Sequence, residues 1–310
     1  MLRRREDIRS LFIVGIYFGA TLVAWMLRPR GWELMPTVLG LGWLSWLVAT
    51  ITHNTIHCPI FRSKPLNRIF QIVLTLGYGH PVSAYVPGHN LSHHRHTQKA
   101  EDVMRTTKLR YRWNVLNALF FLPTVAPSIA VNDRKFITAM KHVKPRWYRQ
   151  LRIEGLVLFV VSVALLVLDW QNFLLFFFVP HVVAAVGIIG INYLQHDGCD
   201  EDDEYNHSRN FTGAFLNYVT CNNGYHTVHH MRPGQHWSLL PEVHREQVLP
   251  HIDPRLDEPS ILAYIWKALI WPGKRLRYDG APVVLPPPMK DVSWVPDASV
   301  PDDMSMGAES

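Results

Sequence analysis

The sequence predicts an all-α integral membrane protein whose four transmembrane helices form two hairpins. Three observations lead there. Of 310 residues, 48% are hydrophobic and only 18% are charged, less charge than a soluble domain of this size ordinarily carries. The apolar residues gather in long runs instead of recurring at the spacing of a soluble core. The charges, which sum to +6, collect between those runs.

The runs span residues 11–27, 34–51, 153–168 and 173–193. A bilayer core of about 30 Å takes roughly 20 helical residues, so the third run is the shortest that qualifies. In lipid a single segment satisfies its own backbone only as a helix, which is why Pro180 in the fourth run is tolerable. Glu154 stands at the start of the third run, where a carboxylate can stay at the interface. Residues 115–131 are apolar too, but Pro123 and Pro127 interrupt them, and they read as a half-buried or interfacial segment. A fifth span there would put the histidines that follow on the wrong side.

Orientation comes from basic residues. Arg3, Arg4 and Arg5 precede the first run, and residues 53–149 carry many Lys and Arg against only Glu101, Asp102 and Asp133. The 169–172 connection has none, although Arg28 and Arg30 in the first hairpin loop dissent. The balance puts the N-terminus, the middle segment and the C-terminal segment in the cytoplasm. Three cysteines with no CxxC pair fit a reducing compartment and read as bystanders. The layout is one membrane domain over 1–281, with a cap from 53–150 and 194–281. Residues 261–271 have the aromatic-rich look of an interfacial helix. The proline-rich stretch 282–310 cannot build a core and reads as a loosely ordered tail.

The histidines carry the functional inference. They cluster as His53-x-x-x-His57, His89-x-x-x-His93-His94, Asn192-x-x-x-His196 and His226-x-x-His229-His230. Residues three and four apart share a helix face. One such pair is weak evidence; three groups and a fourth, each near a membrane boundary, are not. Helices two and four would rise out of the bilayer as stalks, with the other two clusters folded across them. Nine imidazoles exceed the needs of one ion and suit two, with Asn192 as a further donor, directly or through water. Neutral imidazole suits iron, copper, nickel and zinc alike. No nucleophile or acid–base carboxylate sits within the clusters to serve a hydrolytic zinc.

In this order the four clusters resemble the membrane fatty acid desaturase and hydroxylase superfamily, from the first span to about residue 249. The resemblance implies a four-span bundle with a cytoplasmic cap. It implies two iron ions held by His53, His57, His89, His93, His94, His196, His226, His229 and His230, with O₂ as co-substrate. The implied reaction is oxidation of an unactivated C–H bond in a long-chain lipid. Fatty acyl desaturation is the family's commonest activity. Hydroxylation of an alkane, fatty acid or carotenoid follows, then oxidative decarboxylation of a fatty acid to a terminal alkene. A membrane metal transporter is the rival from another class, but it needs ionisable residues deep in the spans, and only His181 qualifies.

The sequence has no P-loop, dinucleotide fingerprint or iron–sulfur cysteine set. A separate electron donor is therefore implied, of ferredoxin, rubredoxin or cytochrome b5 type with its reductase. Nucleic acid is excluded as a partner for a lipid-embedded chain, and the bacterial inner membrane is the expected location, with the metal site on its cytoplasmic side. Glu101, Asp102, Asp197 and the run 200–204 lie near the clusters and could hold a ligating imidazole through its second ring nitrogen, with Asp197 favoured because it adjoins His196 and the acidic run equally readable as a solvated loop. His181 is a candidate to line a substrate channel and His96 to aid proton delivery, each against a plain structural role.

Overall fold

The computed structural model describes residues 1–295. It is mostly helical. In chain order the helices that matter are α1 (Ile8–Leu27), α2 (Leu34–His57), α3 (Lys64–Tyr78), α4 (Phe121–Met140), α5 (Pro145–Leu168), α6 (Val179–His196) and α7 (His226–Met231), then α8 (Ile261–Ile270). The only named strands among the described residues, β1 (Asn210–Phe211) and β2 (Asp257–Glu258), pair in parallel. The chain divides into two compact units. One holds Met1–Val86 and Ile137–Ile188; the other holds Pro87–Phe136 and the described chain from Ile189 onward.

In the first unit, α1 ends at Arg28, whose φ of 52° closes the helix in the left-handed region. The two arginines that dissented from the orientation rule are paired there. Arg28 lies 3.2 Å from Asp169, and Arg30 donates to Asn172 Oδ1 at 3.2 Å. α3 opens on Ser63, which caps Leu66 N–H, with Pro65 in its first turn. It closes on Gly79 at φ 80°. A Cβ on Gly79 would meet the His181 ring at 2.4 Å, so only glycine gives both the turn and the approach. His181 Nε2 lies 3.1 Å from both Tyr17 Oη and Leu76 O. It ties α1 and α3 to α6, a packing role that accounts for a histidine in an apolar run.

The third run is longer than the sequence suggested. α5 begins at Pro145, and its 24 residues extend about 36 Å at 1.5 Å each. Glu154 consequently lies ten positions into the helix and is fully buried. Its carboxylate accepts from Ser83 N–H at 2.8 Å, Ser83 Oγ at 3.1 Å and Gln150 Nε2 at 2.9 Å. These bonds, and not solvent, make the burial tolerable.

Five helices, not four, are long and apolar enough to cross a membrane. The addition is Asn114–Met140, which includes α4 and keeps Pro127 in its interior. A proline costs a helix one ladder bond and some straightness, and here it does not end the helix as the sequence reading supposed.

In the second unit, the stretch from residue 282 is tied down as far as it is described. Asp291 reaches Arg105 Nη1 at 2.5 Å and Lys108 Nζ at 2.9 Å. Trp294 stacks on Phe136 with ring centroids 5.7 Å apart. A composition that cannot build a core can still dock on one. The rest of the expected loose tail, 296–310, lies outside the described residues.

Candidate metal centre

Seven of the nine predicted histidines lie in the second unit, where they form two groups. His93, His196, His226 and His230 each bring one ring nitrogen to within 4.8 Å of the others. His89, His94 and His229 do the same among themselves. His53 and His57, one turn apart at the end of α2 in the first unit, present their rings 5.6 Å apart, as their spacing predicts.

The partition of the second cluster follows from its backbone. Pro87–His93 is a π-helix, not an α-helix. Its wider turn aligns residues five apart, so His89 partners His94, Nε2 to Nε2 at 3.0 Å, while His93 turns to the other group. The expectation that His89 and His93 share a face is thus corrected by the register. In α7 the spacing of four holds: His226 and His230 approach at 3.1 Å, and His229 joins the other group. Each adjacent His–His doublet serves both groups because neighbouring residues on a helix point about 100° apart.

Two of the four histidines have their tautomers fixed from outside the group. His93 is fully buried, and its Nδ1 lies 3.0 Å from Asp102 Oδ2. Asp102 also accepts from Gln98 N–H at 2.9 Å and Met104 N–H at 2.8 Å. Burial pushes this carboxyl up, but His93 and the two amides outweigh it and hold the group below its ordinary value. An ionised carboxylate only accepts, so Nδ1 carries the proton and Nε2 keeps its lone pair. That Nε2 is buried without a hydrogen-bond partner. His196 is held likewise, its Nδ1 donating to His207 O at 3.2 Å. Burial, then the neighbouring imidazoles, keep His230 well below its ordinary pKa, hence neutral. His226 Nε2 stands 2.9 Å from His196 Nε2 and 3.1 Å from His230 Nε2. One proton cannot serve so many convergent lone pairs; a cation at their centre can.

The donor set fits a metal on spacing as well. Perpendicular metal–nitrogen bonds of about 2.1 Å put their nitrogens about 3.0 Å apart, and tetrahedral ones about 3.4 Å apart. The contacts at 2.9 and 3.1 Å fall in the range that ligands of one ion span, and all four nitrogens lie within 4.8 Å of one another.

One sequence expectation fails here. Asp197 is buried but does not hold His196. It pairs with Arg275, whose Nε lies 3.0 Å from both carboxylate oxygens, and it accepts from Tyr193 Oη at 2.9 Å. On α6 the residue after His196 points away from it, toward the C-terminal segment. Asn192, expected as a ligand, donates from Nδ2 to Met104 O at 3.3 Å.

Sequence reasoning also missed the frame behind α7. Thr227 N–H donates to Asn210 Oδ1 at 2.9 Å. Asn210 Nδ2 in turn donates to Asp257 Oδ1 at 2.9 Å, and Asp257 Oδ2 lies 2.9 Å from His244 Nε2. The β1–β2 pair sets Asn210 opposite Asp257. Neither strand is long enough to leave a periodic signal.

Long apolar helices and a group of four histidines with ring nitrogens close together are the marks of an integral membrane, metal-binding helical protein. Residues 30–259 match the fatty acid desaturase family model, and the chain belongs to that family, one of oxidoreductases acting on lipids. No curated protein matches the chain.

Proposed function

We propose that the chain is an O₂-dependent di-iron oxidoreductase that introduces a double bond into a long-chain fatty acyl substrate. The observation that carries the reading is the grouping of His93, His196, His226 and His230, each with one ring nitrogen within 4.8 Å of the others. The choice of iron over zinc rests on the family and on the absence, within the clusters, of a nucleophile or acid–base carboxylate to serve a hydrolytic metal. Two iron ions would draw their ligands from His53, His57, His89, His93, His94, His196, His226, His229 and His230.

Bound iron supplies the O₂ chemistry and hydrogen removal that no side chain can perform. The chain's own part is positional. Asp102 and the His207 carbonyl hold two imidazoles in the ligating tautomer, and the Asn210–Asp257 frame fixes the start of α7. Electrons come from a separate carrier of ferredoxin, rubredoxin or cytochrome b5 type, because the sequence carries no redox cofactor motif of its own.

Contacts within the second unit support four crossings. The His93 and His196 rings lie 4.8 Å apart, so they share one side of the bilayer and an even number of crossings separates them. Three candidate helices lie between them in sequence. Asn114–Met140 carries Asn132, Asp133, Arg134 and Lys135 and is the one that stays out, which leaves two crossings. The positive-inside bias supports a cytoplasmic centre, and a bacterial inner membrane is the location proposed for it.

The test is metal analysis of anaerobically purified protein, followed by product identification under ¹⁸O₂. Iron in the protein and a product lighter by two hydrogens, without label, are expected. Label in the product would replace desaturation with hydroxylation. Activity without O₂, supported by zinc, would overturn the redox reading.

A further inference from the structure

Away from the histidines, the second unit holds a cavity of about 370 Å³ between α8 and the loops that precede and follow it. Arg209, Tyr264, Lys267 and Lys274 line it. Most of its charges are already matched. Lys267 pairs with Glu258 at 2.9 Å, Asp257 with His244 at 2.9 Å, and Asp197 with Arg275. Arg255 and Arg277 have Asp253 and Asp279.

Two cations are left over. Lys274 is exposed and, among the described residues, is paired with no carboxylate. Arg209 is 2% exposed and, among the described residues, forms no direct ion pair, although Asp197 and Glu258 are near enough to favour its charged form. Its Nη1 donates to the carbonyls of Leu194 at 2.7 Å and Asp197 at 3.2 Å, and its guanidinium lies 4.3 Å from the Tyr264 ring centre. Its Nε is buried with no hydrogen-bond partner. A buried guanidinium with an unmet N–H is costly, and that N–H suits an oxygen of a phosphate.

The outer face of α8 shows where such a ligand would come from. Leu262, Trp266 and Ile270 are 75%, 60% and 51% exposed, and Trp271 beyond them is 74% exposed. That combination belongs to a helix lying at headgroup depth. We infer that the cavity is a binding site for a phosphate group, with Arg209 and Lys274 as its cations and α8 as its wall on the lipid side. An anionic phospholipid headgroup and a free phosphate share this chemistry. The site is separate from the histidine centre and does not rest on the proposed reaction.

The test uses the full chain in nanodiscs of phosphatidylcholine, alone or doped with phosphatidylglycerol, and in detergent with inorganic phosphate. Unfolding midpoints and lipids retained in native mass spectrometry are the readouts. Saturable stabilisation by phosphatidylglycerol, weakened about tenfold in apparent affinity by Lys274→Glu, is the expected result. Arg209→Gln should abolish it, but that residue is buried, so the exposed Lys274 variant decides if the former does not fold. Arg245→Glu, an equal charge change on an exposed residue outside the cavity, should leave it intact. Stabilisation by inorganic phosphate alone, with the same variant pattern, would assign the site to a soluble phosphate. No stabilisation by either probe, or equal weakening in Arg245→Glu and Lys274→Glu, would overturn the site.

Discussion

Two buried carboxylates, each a few residues from a clustered histidine, have taken opposite employment. In the loop after the second histidine cluster, Asp102 holds His93 Nδ1 at 3.0 Å. In the turn after α6, Asp197 adjoins His196 in sequence yet holds Arg275 and Tyr193. Closeness along the chain favoured the second, and direction in space chose the first. A carboxylate orients a ring only if its own backbone is turned toward that ring. The Asp102 loop achieves this by bonding to its own amides, Gln98 N–H and Met104 N–H. His196 takes a main-chain carbonyl instead.

The comparison can be broken most severely at the imidazole both arguments depend on. His93→Ala should abolish turnover and lower the metal content of a protein that still inserts into the membrane. Full activity in that purified variant would remove the four-histidine group from the mechanism. Next in size, Asp197→Asn leaves Arg275 buried without its partner and should destabilise the fold by about 3–5 kcal/mol. Metal affinity of the molecules that fold should be unchanged. Asp102→Asn should do the reverse: little loss in unfolding midpoint, but metal held about 10–100-fold more weakly in a chelator competition. If the two variants exchanged these phenotypes, the assignment of orienting and structural carboxylates would be inverted.

The smallest effect concerns the C-terminal stretch. Burial pushes the Asp291 carboxyl up, but bonds from Ser128, Lys108 and Arg105 outweigh it and hold its pKa below the ordinary value. A carboxyl depressed in the folded state adds stability that is fully present above its unfolded pKa. That stability is lost as the pH falls through the folded value. Asp291→Asn should therefore cost up to about 1 kcal/mol near neutrality and lose less than the parent on acidification. Thermal unfolding of both proteins across an acid series measures the difference. Parallel curves would show that the stretch is not held by this pair.

Much of this was legible beforehand, for identifiable reasons. The apolar runs and the i,i+4 pairing of His53 with His57 and of His226 with His230 are local periodicities, and local periodicity survives folding. The start of α5 was missed because Arg146, Arg149 and Arg152 hide eight helical residues from any count of apolar ones. Pro127 misled because a proline lowers the odds of a helix without forbidding one.

The sequence by itself determined the class of protein and the identity of the histidines, because both depend on residue type at fixed short spacing. Only the tertiary structure decided which imidazole belongs to which group, which carboxylate orients a ring, and that a cation pair lines a cavity behind α8. Those outcomes turn on a π-helical register and on contacts between residues as far apart as His93 and His196. Such pairings are settled by how helices and loops pack together, and no stretch of the chain encodes them alone.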